Sequence, residues 1–441
     1  MRPSGWRGAD APGGSARLTT GIASFTLLLA LLWPGTSLSG DGGGGLAGGR
    51  GPVSGASGIG ARSERVLAGL TREACKAARA KRLGSGLPTP DGKPAGLTLA
   101  SMLQPDDPRC DAPAPEATPM PWNSALGIPA TSAPDGTLLG RRLLATIGGV
   151  AMELIAYASG GLSVGGLLCY PADAARHSAV IHVPGGLGGV FATGTGANMV
   201  QTCIDWAANH GRAAFTPSLR GNDGSEGTHE LCLGEATDVA SAALLIRSLE
   251  MIEPGRIGLV GGSIGGCVVL RASALIPDLR AVVAYVPPTD WKALVQYHRT
   301  SWAAATESTC EGGTRAWNIG GPQLADVFDG LICGRIGCTN AEYESRSPIP
   351  ALLSQTAPTL IISAGADNVV PFGQQLLWSI LRQGTGHPVT LYSVGPCDPA
   401  GTPAPGLDVH IYVRNAFHLL AGAPISSGLL FLMARLDDVS P

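Results

Sequence analysis

The sequence predicts an α/β fold in which a mostly parallel sheet is covered by helices on both faces. From about residue 138, short apolar segments with strand character alternate with helical segments, and short links join them. Such alternation is typical of parallel strands that are connected by crossover helices. Of the 441 residues 44% are apolar, so the chain can build a sizeable core despite its 64 glycines and 34 prolines.

The individual elements follow from local patterns. Two apolar runs that join at Gly160-Gly161 predict a strand pair, shorter apolar runs predict the later strands, and apolar residues at helical spacing predict the helices. Residues 287–357 are predicted to form an irregular insert. The predicted strands are Met152–Ala158, Leu162–Tyr170, Ala179–Val183, Arg212–Thr216, Arg256–Val260, Ala281–Val286, Thr359–Ser363 and Val389–Val394. The predicted helices are Asn198–Asn209, Glu235–Glu250, Ile264–Ala274, Phe372–Leu381 and, for the most part, Leu419–Leu436.

The N-terminal region predicts export. Arginines precede an apolar stretch at residues 21–33, and small residues at 37–39 offer a cleavage site, so residues 1–39 are predicted to be a secretory signal peptide. The alternative is a retained membrane anchor, since residues 18–40 carry no charge. Residues 40–137 are predicted to be a Gly/Pro-rich linker and N-terminal arm. We therefore expect a secreted or periplasmic protein, anchored to a membrane only if the N-terminal segment is retained.

The cysteines fit an oxidising compartment, because their number is even and they all follow the predicted signal. We expect at least one disulfide within residues 310–338, from Cys310 to Cys333 or Cys338, because a segment that buries little surface needs covalent staples. Cys267 is expected to be a buried free thiol, which leaves at least one further cysteine unpaired. No cysteine spacing indicates a metal site. The ten cysteines are Cys75, Cys110, Cys169, Cys203, Cys232, Cys267, Cys310, Cys333, Cys338 and Cys397.

One serine is the candidate nucleophile. Gly261, Ser263 and Gly265 form a G-x-S-x-G sequence between an apolar strand and a helix. A sharp strand-to-helix turn tolerates only small neighbours, and it lifts the serine hydroxyl into the cleft at the carboxyl end of the strand. The backbone N–H of Ile264 would then donate one hydrogen bond to an oxyanion at the start of the helix. The alternative is a glycine-rich turn that buries an inert serine.

A serine nucleophile requires a histidine base and an acid that orients it. In a fold that places the serine on such a strand-to-helix turn, the chain order is serine, acid, histidine. His418 follows an extended stretch and precedes the last helix, where the base is expected, and His410 within that stretch is the weaker alternative. Asp367 follows the strand predicted at residues 359–363 in a glycine-containing loop, so it is the expected acid. Asp290, after the preceding strand, is its main rival.

Residues from about 150 to 436 resemble α/β-hydrolases of the prolyl oligopeptidase and dienelactone hydrolase type. The resemblance is carried by Tyr157–Leu167, Pro217–Gly224, Gly261–Gly266 and Ala364–Pro371. It implies the α/β-hydrolase fold for a catalytic domain at residues 138–441, with the cysteine-containing insert 287–357 as a lid. It also implies a catalytic triad and an oxyanion hole that is completed by a glycine-rich loop. The implied triad is Ser263, Asp367 and His418, and the implied oxyanion donors are Ile264 with Gly185, Gly186 and Leu187.

The sequence departs from this family at two positions. The family usually has His-Gly-Gly after its third strand, where Pro184 precedes Gly185 and Gly186 here. The family histidine is often followed by glycine, where Leu419 follows His418 here. Arg220 resembles a loop residue of the family and is predicted to pair with a carboxylate.

The expected function is cleavage of carboxylic esters through an acyl-enzyme. Peptidases of this family usually carry a β-propeller ahead of the hydrolase domain, and the roughly 100 residues available here are too few for one. A peptidase or acyltransferase is the second possibility, and an inactive hydrolase-like binding protein is the third. The expected partner is a small-molecule ester, with no cofactor and no metal. The net charge of −3 and only 14% charged residues argue against nucleic acid. Four insert aromatics are candidate pocket walls or core residues: Trp291, Tyr297, Trp302 and Trp317.

Overall fold

The structure, a computed structural model, describes residues 132–187, 189–190, 196–308, 313–395, 408–416, 418 and 423–438. The predicted signal peptide and most of the predicted arm therefore lie outside the described residues. So do Cys75, Cys110, Cys310 and Cys397.

A ten-stranded sheet forms the centre of the described chain, in the order β1-β2-β3-β5-β4-β6-β7-β10-β12-β11. The strands from β5 to β11 in this order run parallel, and β1, β2 and β3 add antiparallel strands at one edge. The parallel strands place their carboxyl ends along one side of the sheet. The bounds are β1 Leu138–Ile147, β2 Val150–Ser159, β3 Leu162–Pro171, β4 His177–Val183, β5 Ala213–Pro217, β6 Ile252–Gly262, β7 Ala281–Tyr285, β10 Thr359–Ala364, β11 Val389–Val394 and β12 Asp408–Val413.

Helices cover both faces of this sheet and bury two separate apolar cores. Side chains of α2, α3, α4 and α7 pack in one core, and side chains of α1 and α8 pack in the other. The mostly parallel sheet with helices on both faces confirms the predicted fold class. Within the described residues, no helix has both the length and the apolar character that a membrane span requires. The helix bounds are α1 Gly196–His210, α2 Gly234–Ser248, α3 Ile264–Ser273, α4 Trp291–Thr300, α5 Pro322–Cys333, α6 Asn340–Glu344, α7 Gly373–Gly384 and α8 Ala423–Asp437.

The predicted strand pair is present as β2 and β3. The turn between them is made by Gly160 and Gly161, whose φ values of 55° and 78° match a two-residue hairpin turn that favours glycine. All ten residues of β2 are buried. Strand β1, which was not predicted from the sequence, pairs antiparallel with β2 at the edge of the sheet. Its half-exposed Arg141 forms an ion pair with Glu153 of β2, so β1 lacks the continuous apolar run of a central strand.

The prediction of an irregular insert at residues 287–357 is wrong. The insert contains α4, α5 and α6, a two-stranded sheet of β8 (Ala305–Ser308) and β9 (Thr314–Trp317), and a 3₁₀ helix at Ile349–Ser354. Its helices pack around the carboxylate of Asp329, which is fully buried and accepts hydrogen bonds from Tyr343 Oη at 2.5 Å and Gly337 N at 2.6 Å. The order of the insert therefore comes from this buried polar centre as well as from apolar contacts.

Three disulfides join the six described cysteines, and they correct part of the cysteine scheme. Cys333 bonds to Cys338, so a disulfide does lie within residues 310–338. Neither Cys333 nor Cys338 is then available to Cys310, and that predicted pairing is wrong. The prediction of a free Cys267 is also wrong, since Cys267 bonds to Cys232. Cys169 and Cys203 form the third disulfide, between β3 and α1.

Candidate active site

Ser263 occupies a strained turn between β6 and α3. Its φ of 53° and ψ of −122° lie outside the regions that most side chains adopt. The flanking glycines follow from the packing of this turn. A Cβ on Gly265 would lie 2.5 Å from the carbonyl oxygens of Val183 and Pro184, and a Cβ on Gly261 would overlap the carbonyl oxygen of Gly265. The small residues of the G-x-S-x-G sequence thus let β4, β6 and α3 meet at the serine.

The loops after three strands bring Ser263, His418 and Asp367 together. Nε2 of His418 lies 2.9 Å from Oγ of Ser263, and Nδ1 of His418 lies 2.7 Å from Oδ2 of Asp367. Asp367 and His418 are buried, whereas Ser263 is partly exposed at the carboxyl edge of the sheet. The geometry suits a tautomer in which Nδ1 donates its proton to the carboxylate and Nε2 accepts the serine proton.

The second oxygen of Asp367 is held by its own loop. Oδ1 accepts hydrogen bonds from the backbone N–H groups of Val369 and Val370, both at 2.8 Å. The loop is joined to the histidine loop by a bond from Ala366 N to the carbonyl oxygen of Ala416, at 2.7 Å. These contacts fix the direction of the carboxylate and leave Oδ2 for His418.

The two rival residues lie elsewhere. Asp290 caps the N-terminus of α4, where its carboxylate accepts a hydrogen bond from Ala293 N at 3.0 Å. His410 lies inside the packing between β12 and α7, with Nε2 2.7 Å from Ser363 Oγ and Nδ1 2.8 Å from Ser379 Oγ. Burial lowers the pKa of His410 to about 4. Neither side chain is within hydrogen-bonding distance of Ser263.

The glycine-rich loop after β4 passes beside the serine. A Cβ on Gly185 would lie 3.5 Å from Cβ of Ser263 and 2.8 Å from the carbonyl oxygen of Gly262. Gly186 has a φ of 70° and open space around it, and Leu187 is half-buried against the core. Ile264 is the first residue of α3, so its N–H belongs to the unpaired N-terminal group of that helix. The predicted oxyanion residues therefore all lie on segments that adjoin Ser263.

Arg220 pairs with a carboxylate, as predicted. Its Nη2 lies 2.9 Å from Oδ1 of Asp238, and its Nε lies 3.1 Å from Oδ2. Ser159 Oγ donates a further hydrogen bond to Asp238 at 2.7 Å, and Glu230 lies 3.2 Å from Arg220 Nη1. This network joins β2, the loop before α2 and α2 itself, so it supports the side of the site that carries the Ser263 helix.

The insert touches both loops that carry the predicted base and acid. His298 of α4 lies 2.8 Å from the carbonyl oxygen of Val369, Asn368 donates to Ala303 O at 2.9 Å, and Ser308 N donates to Asn415 O at 2.9 Å. These contacts were not predicted, because a single histidine in the insert or a single asparagine in the loop of Asp367 carries no periodic or motif signal. Of the candidate pocket aromatics, Trp291 is fully buried with its ring 5.1 Å from that of Phe328, so it is a core residue.

One cluster of possible metal ligands occurs among the residues that the structure describes. It consists of Cys333, Cys338 and Glu342, but the two sulfurs are bonded to each other and offer no thiolates. Its glutamate is also engaged, since Glu342 completes the N-terminal cap of α6 and pairs with Arg335 at 2.7 Å.

Comparison with known proteins gives one family and several relatives. A family model described as the alpha/beta hydrolase family matches residues 180–394. Over 117 residues the chain is 32% identical to the uncharacterized peptidase YtmA of Bacillus subtilis (strain 168), a match that covers 26% of this chain and 43% of that relative. The match therefore spans less than half the length of this relative.

Solved structures with a similar fold include peptidases and esterases. An acylaminoacyl peptidase of Pyrococcus horikoshii is 17% identical with a TM-score of 0.45, over 66% of this chain and 40% of that chain. Acetyl xylan esterase 1 from Thermoanaerobacterium sp. JW/SL YS485 is 13% identical with a TM-score of 0.47, over 71% of this chain and 92% of that chain. The family match extends from β4 to β11 of the parallel sheet, and together with the sheet order and the strained turn after β6 it shows that this chain has the α/β-hydrolase fold.

Proposed function

We propose that this chain is an exported serine hydrolase that cleaves carboxylic esters through an acyl-enzyme. One observation carries the proposal: Ser263, His418 and Asp367 form a continuous series of hydrogen bonds, of 2.9 and 2.7 Å, at the carboxyl edge of the sheet. A nucleophile, a base and an orienting acid in this series are what acyl transfer requires. The strained backbone of Ser263 supports the same conclusion, since strain of this kind is concentrated at functional sites.

The proposed reaction proceeds in two halves. In the first, Oγ of Ser263 attacks the ester carbonyl, His418 Nε2 accepts the serine proton, and the tetrahedral intermediate collapses as His418 protonates the departing alcohol. In the second, water attacks the acyl-serine with His418 again as base, and the acid is released with Ser263 restored. Asp367 holds Nδ1 protonated and stabilises the positive charge that forms on His418.

The tetrahedral intermediate carries its negative charge on the former carbonyl oxygen. Hydrogen-bond donors are required next to that oxygen. We assign this role to the N–H of Ile264, at the positive end of α3, together with an N–H from Gly185, Gly186 or Leu187. The proximity of Gly185 to Ser263 and the absence of side chains at positions 185 and 186 support this assignment. Removal of one such donor typically costs about 10²–10³ in kcat.

A fluorophosphonate probe tests the nucleophile. We expect the full-length chain to be labelled and the Ser263→Ala variant to remain unlabelled. Ser273→Ala is the matched control, because Ser273 lies in the same helix but its buried hydroxyl donates to Leu270 O, at 2.8 Å, within that helix. Labelling that persists in Ser263→Ala, or a folded chain that is not labelled, would exclude a serine hydrolase centred on Ser263.

The substrate class is tested with paired substrates that share one acyl group. An ester and an anilide of the same acyl group differ only in the leaving group, and the proposal predicts turnover of the ester with little turnover of the anilide. The peptidase name of the B. subtilis relative favours the second candidate function, a peptidase. Turnover of aminoacyl or peptidyl anilides at rates near those of the esters would establish that second function. Transfer of the acyl group to an added alcohol in preference to water would indicate an acyltransferase instead.

Export is a separate part of the proposal. The three disulfides support it, because such bonds persist in oxidising compartments. The proposal predicts that protein recovered from outside the cytoplasm begins close to residue 40. An intact N-terminus in a membrane fraction would show that residues 18–40 are retained as an anchor.

A further inference from the structure

The insert holds the loop of the acid through one buried histidine. His298 belongs to α4, is 1% exposed, and contacts backbone groups of two different segments. We propose that His298 is a positioning residue for Asp367, so that the insert determines the orientation of the acid in the Ser263–His418–Asp367 series. This inference rests on the proposed function of that series.

The hydrogen bonds of His298 define its tautomer. Gly321 N donates to Nδ1 at 3.2 Å, so Nδ1 is the acceptor nitrogen. Nε2 therefore carries the proton and donates it to the carbonyl oxygen of Val369, at 2.8 Å. The neutral imidazole uses both of its ring nitrogens on backbone groups, one in the insert and one in the loop of Asp367. No other tautomer satisfies both contacts.

A short path leads from this imidazole to the acid. The peptide group that precedes Val369 donates its N–H to Oδ1 of Asp367 at 2.8 Å, while the carbonyl of Val369 accepts from His298. Oδ2 of the same carboxylate lies 2.7 Å from His418 Nδ1. A displacement of residue 369 would therefore move the bond that fixes Oδ1 and rotate Oδ2 relative to His418.

The surroundings of His298 make it a rigid support. Its ring packs edge-on against Tyr297 and Phe328, with centroids 5.2 and 5.9 Å away. A Cβ on Gly320 would lie 3.0 Å from Cε1 of His298, so the backbone at Gly320 also packs closely against the ring. Burial lowers the pKa of His298, which keeps the ring neutral and Nδ1 able to accept from Gly321. Asn368 adds a second bond from the same loop to the insert, at Ala303 O.

A merely structural role for His298 makes a different prediction from a positioning role. If His298 only packs the insert, its loss lowers thermal stability and leaves the folded enzyme with unchanged kinetics. If it positions Asp367, its loss lowers kcat at constant KM and weakens the His418–Asp367 bond. Misplacement of a catalytic group by about 1 Å can cost about 10²-fold, so we expect kcat to fall between about tenfold and 10²-fold.

The test compares three variants of the full chain. His298→Leu removes both hydrogen bonds, and His298→Gln keeps an N–H donor close to the position of Nε2. Phe328→Leu is the matched control, because it loosens the same packing but leaves the contact with Val369 intact. Each variant is measured for thermal stability and for kcat and KM with an ester.

The positioning role predicts a pattern across these variants. His298→Leu should lower kcat with KM within about twofold of the wild type. His298→Gln should recover most of kcat. Phe328→Leu should lose thermal stability with kinetics unchanged. A folded His298→Leu variant with wild-type kcat, or an equal loss of kcat in Phe328→Leu, would overturn the inference.

A spectroscopic measurement separates this inference from the proposed function. The His418 Nδ1 proton, shared with a carboxylate at 2.7 Å, should give a low-field proton resonance in histidine-labelled protein. Asp367→Asn should abolish this resonance and thereby assign it. Loss or shift of the resonance in His298→Leu but not in Phe328→Leu supports the positioning role even if no ester is hydrolysed. An unchanged resonance in His298→Leu refutes it even if the enzyme is an active esterase.

Discussion

Cys267, in the first turn of the helix that begins after Ser263, is bonded to Cys232 in the loop that precedes α2. Their Cα atoms are 6.0 Å apart, and 35 residues separate them in the sequence. Cys232 also has a φ of 72°, in the left-handed region where side chains other than that of glycine are uncommon. The disulfide therefore fixes the start of α3 to the segment that carries Arg220 and Glu230.

The Cys232–Cys267 disulfide should contribute more to stability than the Cys333–Cys338 disulfide. In the chain-entropy account, closing a loop of about 35 residues stabilises by about 4 kcal/mol, and closing a loop of about 5 residues by about 2 kcal/mol. We expect the double variant Cys232→Ala/Cys267→Ala to lose about twice as much free energy of unfolding as Cys333→Ala/Cys338→Ala. Urea unfolding of the two full-length variants measures the difference. Equal losses would mean that native-state contacts, rather than loop length, set the contributions.

Much of the sheet was predictable because its central strands are buried on both faces. Such strands are continuous apolar runs, and β7 and β10 each follow that pattern with every residue but Tyr285 buried. The turn of Ser263 was predictable for a related reason, since the close approach of β4, β6 and α3 admits only glycine at positions 261 and 265. Features that depend on local backbone geometry could therefore be predicted from the local sequence.

The remaining features depend on contacts between distant segments. The insert is ordered around Asp329, whose partners Arg299, Gly337 and Tyr343 come from three separate parts of the insert. The partner of Cys267 is likewise set by the path of the loop before α2. No periodicity or spacing in the sequence specifies such contacts between distant segments. For this reason the insert and the disulfide pairing were predicted incorrectly.

Substitution at the glycines around Ser263 should be strongly position-dependent. A Cβ at Gly265 would lie 2.5 Å from two backbone carbonyl oxygens, which cannot move without displacing β4. A Cβ at Gly262 would meet only Cβ of Tyr285, at 3.9 Å, an ordinary contact. We therefore expect Gly265→Ala to prevent normal folding or to abolish probe labelling, and Gly262→Ala to remain folded and labelled. Circular dichroism and fluorophosphonate labelling of both variants provide the comparison.

The two candidate acids should differ sharply in their effect on turnover. Asp367→Asn replaces the carboxylate that orients His418 Nδ1, and loss of the correct tautomer is expected to lower kcat by up to about 10⁴-fold with the fold intact. Asp290→Asn should change kcat by less than about twofold, because asparagine caps a helix as well as aspartate does. Steady-state kinetics of both variants with one ester decides between them. A larger loss in Asp290→Asn would transfer the role of the acid to the loop after β7.

Stability should decline as the pH falls below 6.5, because buried histidines resist protonation in the folded chain. Burial lowers the pKa values of His182 and His410 to about 4, whereas an unfolded histidine titrates near its ordinary value of 6.5. Between these two pH values the unfolded chain binds more protons, so the free energy of unfolding falls with falling pH, by up to about 1.4 kcal/mol per pH unit for each histidine. His410→Asn keeps a polar group near the position of Nδ1, beside Ser379 Oγ, but does not titrate. Its unfolding free energy, measured in urea at pH 6 and pH 5, should therefore fall less steeply than that of the wild type, and the two slopes should differ by about 1.2 kcal/mol per pH unit. The same slope in both proteins would show that His410 is not the source of the acid sensitivity.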